Sequence, residues 1–245
     1  MTWLATNQRW LEHARDRWAP RRPEPFTVRM WLSSPVAWSA HGVQLDGLLQ
    51  RLVVERETCL PSDDAFAECP RDVHPEIQIP VADTTISGLP IACASWGMPA
   101  PVAAETLRWR RKRARLEVLS GRRVTFAGGP YKSTNIPVQT LTTPWLDFHL
   151  VADQKLVMDL LGDASAIGRG YSSGLGTILG MEYLTDPEER ALAWRGRAMR
   201  AIPLGLDAPP LDEPVQMLTS TRAPYWAAKG QRRCAVPNLS LRGEI

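Results

Sequence analysis

The stretch IGRGYSSGLG, residues 167–176, spaces four glycines, Gly168, Gly170, Gly174 and Gly176, around Arg169, Tyr171, Ser172 and Ser173. Glycine reaches positive φ and lets another backbone or a ligand come close, at an entropic cost that an ordinary turn incurs once or twice. Amide groups in such a loop can hold phosphate oxygens, while Arg169 adds charge and Tyr171 a stacking surface, which suits an extended nucleic-acid strand. A dinucleotide fingerprint would need glycine where Ser173 stands, with a strand before the loop and a helix after it. The nucleotide-hydrolase loop would need a Gly-Lys-Ser/Thr ending. Both patterns are missing, so a nucleotide-binding regulatory protein is a distant rival. A structural loop whose glycines pack against the N-terminal helix is a nearer one.

A second chemistry lies in the basic residues. Residues 108–123, RWRRKRARLEVLSGRR, hold Arg108, Arg110, Arg111, Lys112, Arg113, Arg115, Arg122 and Arg123 against the single Glu117, so the modest net charge of +3 is locally concentrated. Such a run neutralises phosphates and makes binding salt-dependent; the competing reading is a solvated, charged helix face. Near the C-terminus YWAAKGQRR repeats the combination, with Trp226 as a stacking candidate beside Lys229, Arg232 and Arg233. Tyr131 and Lys132 follow Gly128-Gly129-Pro130, a turn that displays them for base stacking and phosphate contact.

One combination could make the chain an enzyme. Metal-free RNA cleavage uses the 2′-hydroxyl as nucleophile and needs a base, an acid and a cation for the phosphorane. His41, in the polar turn SAHG, with Tyr131 and Lys132, has the right groups; a structural or RNA-contacting histidine is the favoured alternative. His74 and His149 have no partner in view. Asp46, Glu55, Asp147 and Asp153 are too scattered for two-metal chemistry, and the cysteines and histidines lack zinc spacing, so no metal and no cofactor is expected.

These residues need elements to position them. Trp3, Trp10, Leu11, Ala14 and Trp18 recur at helical spacing, and APRRPEP at 19–25 ends that helix. FTVRMWL at 26–32 alternates as a half-buried strand, and residues 43–56 read as a helix packed on it. EIQIPVA at 76–82 and LPIACASW at 89–96 read as strands joined by a DTTISG hairpin, and residues 97–143 as an irregular basic insertion. WLDFHLVA at 145–152 reads as a strand, 153–162 as a helix capped by Asp153, and 175–184 as a final strand. Trp31, Trp38, Trp96, Trp145 and Trp194 are assigned mostly to core or interface. The sequence thus predicts an α+β, ferredoxin-like (RRM-like) β-α-β-β-α-β domain over 26–184 with its insertion at about 97–143, and leaves open which middle run is the third core strand. An N-terminal helix and Pro-rich linker over 1–25 precede it, and a small, mostly β extension over 185–245 follows. Apolar residues at 44% allow a real core. No apolar run reaches membrane-spanning length and the N-terminus lacks a secretory pattern, so a cytoplasmic location without membrane contact is expected.

A helix, a glycine-rich loop and a strand closing such a unit resemble the RAMP superfamily of CRISPR-associated RNA-binding proteins. The order of LSSPVAWSAHGVQLDGLLQRLVV (32–54), LPIACASW (89–96), GGPYKSTNIPV (128–138), DQKLVMDLLGDASAIGRGYSSGLGTILG (153–180) and APYWAAKGQRRCAVPN (223–238) is similar to the fifth Cas family subunit of type IV CRISPR systems. The resemblance covers roughly residues 26–240; the N-terminal helix through Arg22 lies outside it. It implies a non-catalytic subunit that binds and caps the 5′ handle of the CRISPR RNA (crRNA) and docks on repeated backbone subunits and a large subunit. Target double-stranded DNA near the protospacer-adjacent motif would lie close by, with the insertion as a thumb-like projection touching RNA or DNA. A metal-independent crRNA-processing endoribonuclease using His41 is the alternative it leaves.

Overall fold

The computed structural model describes residues 3–38, 42–59, 77–112, 134–169, 173–222 and 231–238, with the backbone alone over 3–9, 109–112 and 134–136. The described chain is α+β, with three helices and antiparallel sheets. Helix α1 (Trp3–Trp18) comes first, and its stripe of Leu11, Ala14 and Trp18 is buried against α2 (Leu45–Thr58). The strand β1 (Glu24–Leu32) begins after the prolines, and its even positions Phe26, Val28, Met30 and Leu32 enter the core, as period-two alternation predicts.

After β1 come a short β2 (Val36–Ala37), α2, a hairpin of β3 (Asp83–Ile86) and β4 (Leu89–Ala92), and β5 (Met98–Pro99). A long pair, β6 (Ala104–Lys112) and β7 (Thr134–Thr142), precedes β8 (Trp145–Ala152), α3 (Gln154–Leu161) and β9 (Ile178–Thr185). One four-stranded antiparallel sheet has the order β5-β8-β1-β9, with Phe26 opposite Leu150 and Val28 opposite both Phe148 and Tyr183. Leu146, Phe148 and Leu150 of β8 join the even residues of β1, α2 and α3 in the main core. Asp153 caps α3, its carboxylate accepting from the Leu156 amide at 3.3 Å.

The stretch 76–82 departs from the strand expected of it. Ile77, Ile79 and Val81 are buried, yet only Val81 bridges β8, opposite Ala152. Pro80 offers no amide and bonds through its carbonyl alone, to the Asp153 amide, so a ladder cannot continue through it. The hairpin falls inside the segment read as a connection: Ser87 and Gly88, at φ 52° and 72°, form its turn between Ile86 and Leu89. Two positive φ angles in a two-residue loop match the twist of the flanking strands. The predicted run 89–96 ends as a ladder at Ala92; residues 93–95 then follow β8 through bonds such as Ser95 N to His149 O at 2.8 Å, and ladder pairing with β8 resumes at β5.

The basic run is a strand where it is described, which corrects the charged-helix reading. Ala104 pairs with Thr142 and Lys112 with Thr134, so residues 104–112 and 134–142 of the insertion form a regular antiparallel arm whose root is joined to β2 in the order β2-β7-β6. Pro137 lies beyond the described pairing of β2, and among the described residues no strand pairs with that edge of β7, where proline is tolerated.

Beyond β9 lie a small pair, β10 (Ala193–Trp194) with β11 (Arg197–Ala198), and a three-stranded sheet in the order β12 (Ile202–Pro203), β14 (Gln231–Val236), β13 (Val215–Ser220). Two satellite cores attach this extension: Ile86 and Ile91 pack with Ala198, Ile202 and Ala235, and Trp96 packs with Ala201, Cys234 and Val236. Among the described residues no helix is long and apolar enough to cross a membrane.

Candidate nucleic-acid interface

The glycine loop leaves the fold through a closed neck. Ala166 bridges Thr177, and the Ile167 amide donates to the Gly176 carbonyl at 2.9 Å. The Gly176 amide donates to Pro35 O at 2.8 Å and the Thr177 amide to Ser34 Oγ at 2.9 Å, which pins the neck to the β1–β2 connection. Two glycines belong to this closure. A Cβ on Gly176, at φ 65°, would overlap the Ile167 carbonyl, and one on Gly168, at φ 81°, would press Val36 at 3.0 Å. Their freedom serves the neck, and Gly168 packs on β2 rather than on α1, the partner expected of a purely structural loop. Gly174, also at positive φ, has open space around it. Gly168, Arg169, Ser173 and Gly174 are exposed; Gly170, Tyr171 and Ser172 lie outside the described residues. The amides of Ile167 and Gly176 are engaged internally, so neither is available to an anion.

Val36 ties the loop to the arm. It touches Gly168 on one side and pairs with Leu141 of β7 on the other, so loop and arm root leave the same end of the main sheet. The arm's described side chains 104–108 are all exposed, Leu107 at 60% and Arg108 among them. Arg110 and Lys112 fall on the same strand face as Arg108, with Trp109 and Arg111 on the other, by strand alternation. Arg113, Arg115, Arg122, Arg123, Tyr131, Lys132, His41, Trp226 and Lys229 lie outside the described residues. Arg232 and Arg233 sit exposed on β14, opposite Thr219 and Leu218, in a separate sheet from the loop and arm.

The sheet face opposite the main core holds groups that sequence reasoning left unassigned. Arg29 grips Asp147 through Nε and Nη2 at 2.8 and 2.9 Å, a bidentate pair that raises the pKa of Arg29 through hydrogen bonding. The Arg29 guanidinium lies 4.7 Å from the ring centre of Trp145, which packs on Trp31 at 5.0 Å with a 58° tilt. Both tryptophans are half-buried here, whereas Trp38 and Trp96 are in the core. Their shared strand phase, one residue beyond the core positions Met30 and Leu146, is the signal that could have found them.

His149 does have partners, correcting the sequence reading. Its Nδ1 lies 2.8 Å from Thr27 Oγ1 and 3.2 Å from Asp186 Oδ2, and Arg190 Nε donates to Asp186 Oδ1 at 2.7 Å. A carboxylate only accepts, so the Nδ1–H tautomer suits the site. Burial first, then the Arg190 charge, hold His149 below its ordinary value near 6.5, outweighing Asp186. This network clamps the start of the C-terminal extension to β8, with both His149 and Asp186 buried. Along the outer edge of β9 a shallow groove of about 330 Å³ runs past Met158, Leu161, Leu179 and Tyr183. Among the described residues no three His, Cys, Asp or Glu side chains gather as a metal site.

Compared with known proteins, the chain matches no family model. A search of curated proteins likewise returns no match.

Proposed function

We propose that this protein is a non-catalytic RNA-binding subunit of a type IV CRISPR ribonucleoprotein, of the fifth Cas family, which binds and caps the crRNA 5′ handle. The observation that carries the reading is the convergence of the glycine loop and the cationic arm at one end of the four-stranded sheet through Val36. The order β9-β1-β8-β5, with α2 following β1 and α3 preceding β9, supports a ferredoxin-like unit. The closed neck, reached directly from a helix and leading into the last sheet strand, supports the RAMP resemblance.

In this reading the loop tip, with Arg169, holds handle phosphates, and Lys132 adds a second contact. The arm lies along RNA or the incoming DNA as a sequence-independent counter-charge, while base pairing to the guide reads the target. The remaining surfaces dock backbone and large subunits. The test is direct binding of repeat-derived handle RNA to the Arg169→Ala/Lys132→Ala double variant. A drop of about tenfold or more, with unchanged melting, is the expected outcome for two charged contacts. Undiminished affinity removes the site assignment.

A further inference from the structure

Trp31 has different neighbours on its two sides. Strand β1 lies between β8 and β9, so Trp31 meets Trp145 across one ladder and Gly180 across the other. Trp145 is fixed by Trp31 and by Arg29, which is itself held by Asp147. On the Gly180 side there is space: a Cβ built on that glycine meets no atom within 4 Å. Gly180 is also not among the residues with positive φ. Gly180 stands beside the register shift of the β1–β9 ladder between Trp31 and Leu32, and glycine in a strand interior marks such a bulge as well as close approach of a ligand; what the shift leaves beside Trp31 is an unfilled position.

We propose that Trp31 and the opening above Gly180 form a stacking platform for one unpaired nucleobase of a single-stranded RNA. The proposal rests on the nucleic-acid reading above and adds a site to it. Neighbouring strands lie ~4.8 Å apart, and with no side chain on Gly180 a flat ring can lie beside the indole. Charge selects the occupant. Exposed Arg169 and the arm's Arg108 leave the fold at this same sheet end and suit a polyphosphate. In the row next to Trp31, Asp147, Arg29 and Glu182 stand in line, with Arg29 already neutralised by Asp147. That row repels phosphate and offers carboxylate oxygens to exocyclic amines. The backbone of a bound strand is thus held by loop and arm, and its base is turned toward the sheet. Stacking on a preorganised aromatic tolerates any base and adds affinity without sequence readout.

The test uses the full chain and a fluorescein-labelled short oligoadenylate RNA, followed by anisotropy at low salt. Gly180→Val begins to fill the opening with a Cβ that has no atom within 4 Å and restores a β-branched strand residue, so its melting temperature should equal or exceed that of the parent. Its affinity should fall about tenfold, the usual loss of one stacked base. Trp31→Phe keeps an aromatic surface and most of the affinity, but should lose the part of the tryptophan quenching that oligoadenylate produces. Unchanged affinity in Gly180→Val overturns the platform, as does failure of the parent chain to bind oligoadenylate. If RNA recovered from cells carries no common handle while Gly180→Val still weakens oligoadenylate binding, the crRNA reading falls and the platform stands.

Discussion

Gly174 and Gly176 both sit at positive φ, 75° and 65°, but a Cβ on the first meets open space and on the second a backbone carbonyl. Gly174→Ala should therefore cost only the left-handed backbone penalty, about 1–2 kcal/mol. Gly176→Ala adds a clash with the Ile167 carbonyl and should cost clearly more, lowering the melting temperature and weakening handle binding together; equal losses at the two sites would contradict the neck geometry. The glycine spacing in the sequence reveals an unusual loop, but which glycine closes the neck depends on Pro35 and Val36, far away along the chain. His149 was illegible for the same reason, since Asp186 reaches it only once β8 and the segment after β9 are in place. Its depressed pKa sets the sign of a pH effect. Above its ordinary value near 6.5 the histidine is neutral folded and unfolded; below it the unfolded chain takes up a proton that the native site resists. Stability should fall as pH drops below about 6.5, and His149→Gln should flatten that dependence in urea titrations. An unchanged slope would mean that another group sets the acid limit.

At the scale of elements, β1, α2, β8 and α3 were legible because each buries one face, leaving period two in FTVRMWL and WLDFHLVA and a helical period in LDGLLQRLVV. The β6–β7 arm was not, because the described side chains of β6 are exposed and leave no apolar alternation to read, and only Thr140 and Leu141 at the root of β7 are buried. Its strand character comes from pairing with β7, whose own residues lie beyond the basic run. A cut made beyond the buried Thr140 and Leu141 leaves the packed root of the arm in place. Replacing residues 108–138 by an Asn-Gly turn keeps the Leu107–Gln139 pair and the bond from the Trp38 amide to Gln139 O at 2.8 Å. Unfolding free energy should change by less than about 1 kcal/mol. Nucleic-acid affinity should fall, and the slope of log affinity against log salt should shrink by about 0.7 for each single-strand phosphate that the arm no longer neutralises. An unchanged slope would show that the arm does not touch nucleic acid.

At the scale of the molecule, two assemblies share the chain. The main sheet and its helices position the loop, the arm root and Trp31 at one end, while the β3–β4 hairpin and the C-terminal strands enclose the satellite cores around Ile91 and Trp96. Arg200, fully buried, joins them: its Nη1 donates to Ala94 O at 2.9 Å and its Nη2 lies 3.7 Å from Asp46 of α2. The sequence pattern of a β-rich tail shows that such an extension exists, but not that a hairpin from the middle of the chain completes it, because short apolar runs carry no partner information. Whether loop and arm grip a guide RNA at its 5′ end is decided by recovering the tagged protein from its native host and sequencing the bound RNA with 5′ ends mapped. Reads sharing one short repeat-derived 5′ handle followed by varied spacers are the expected result. Heterogeneous RNA without a common 5′ end, or no RNA, would contradict the proposed role.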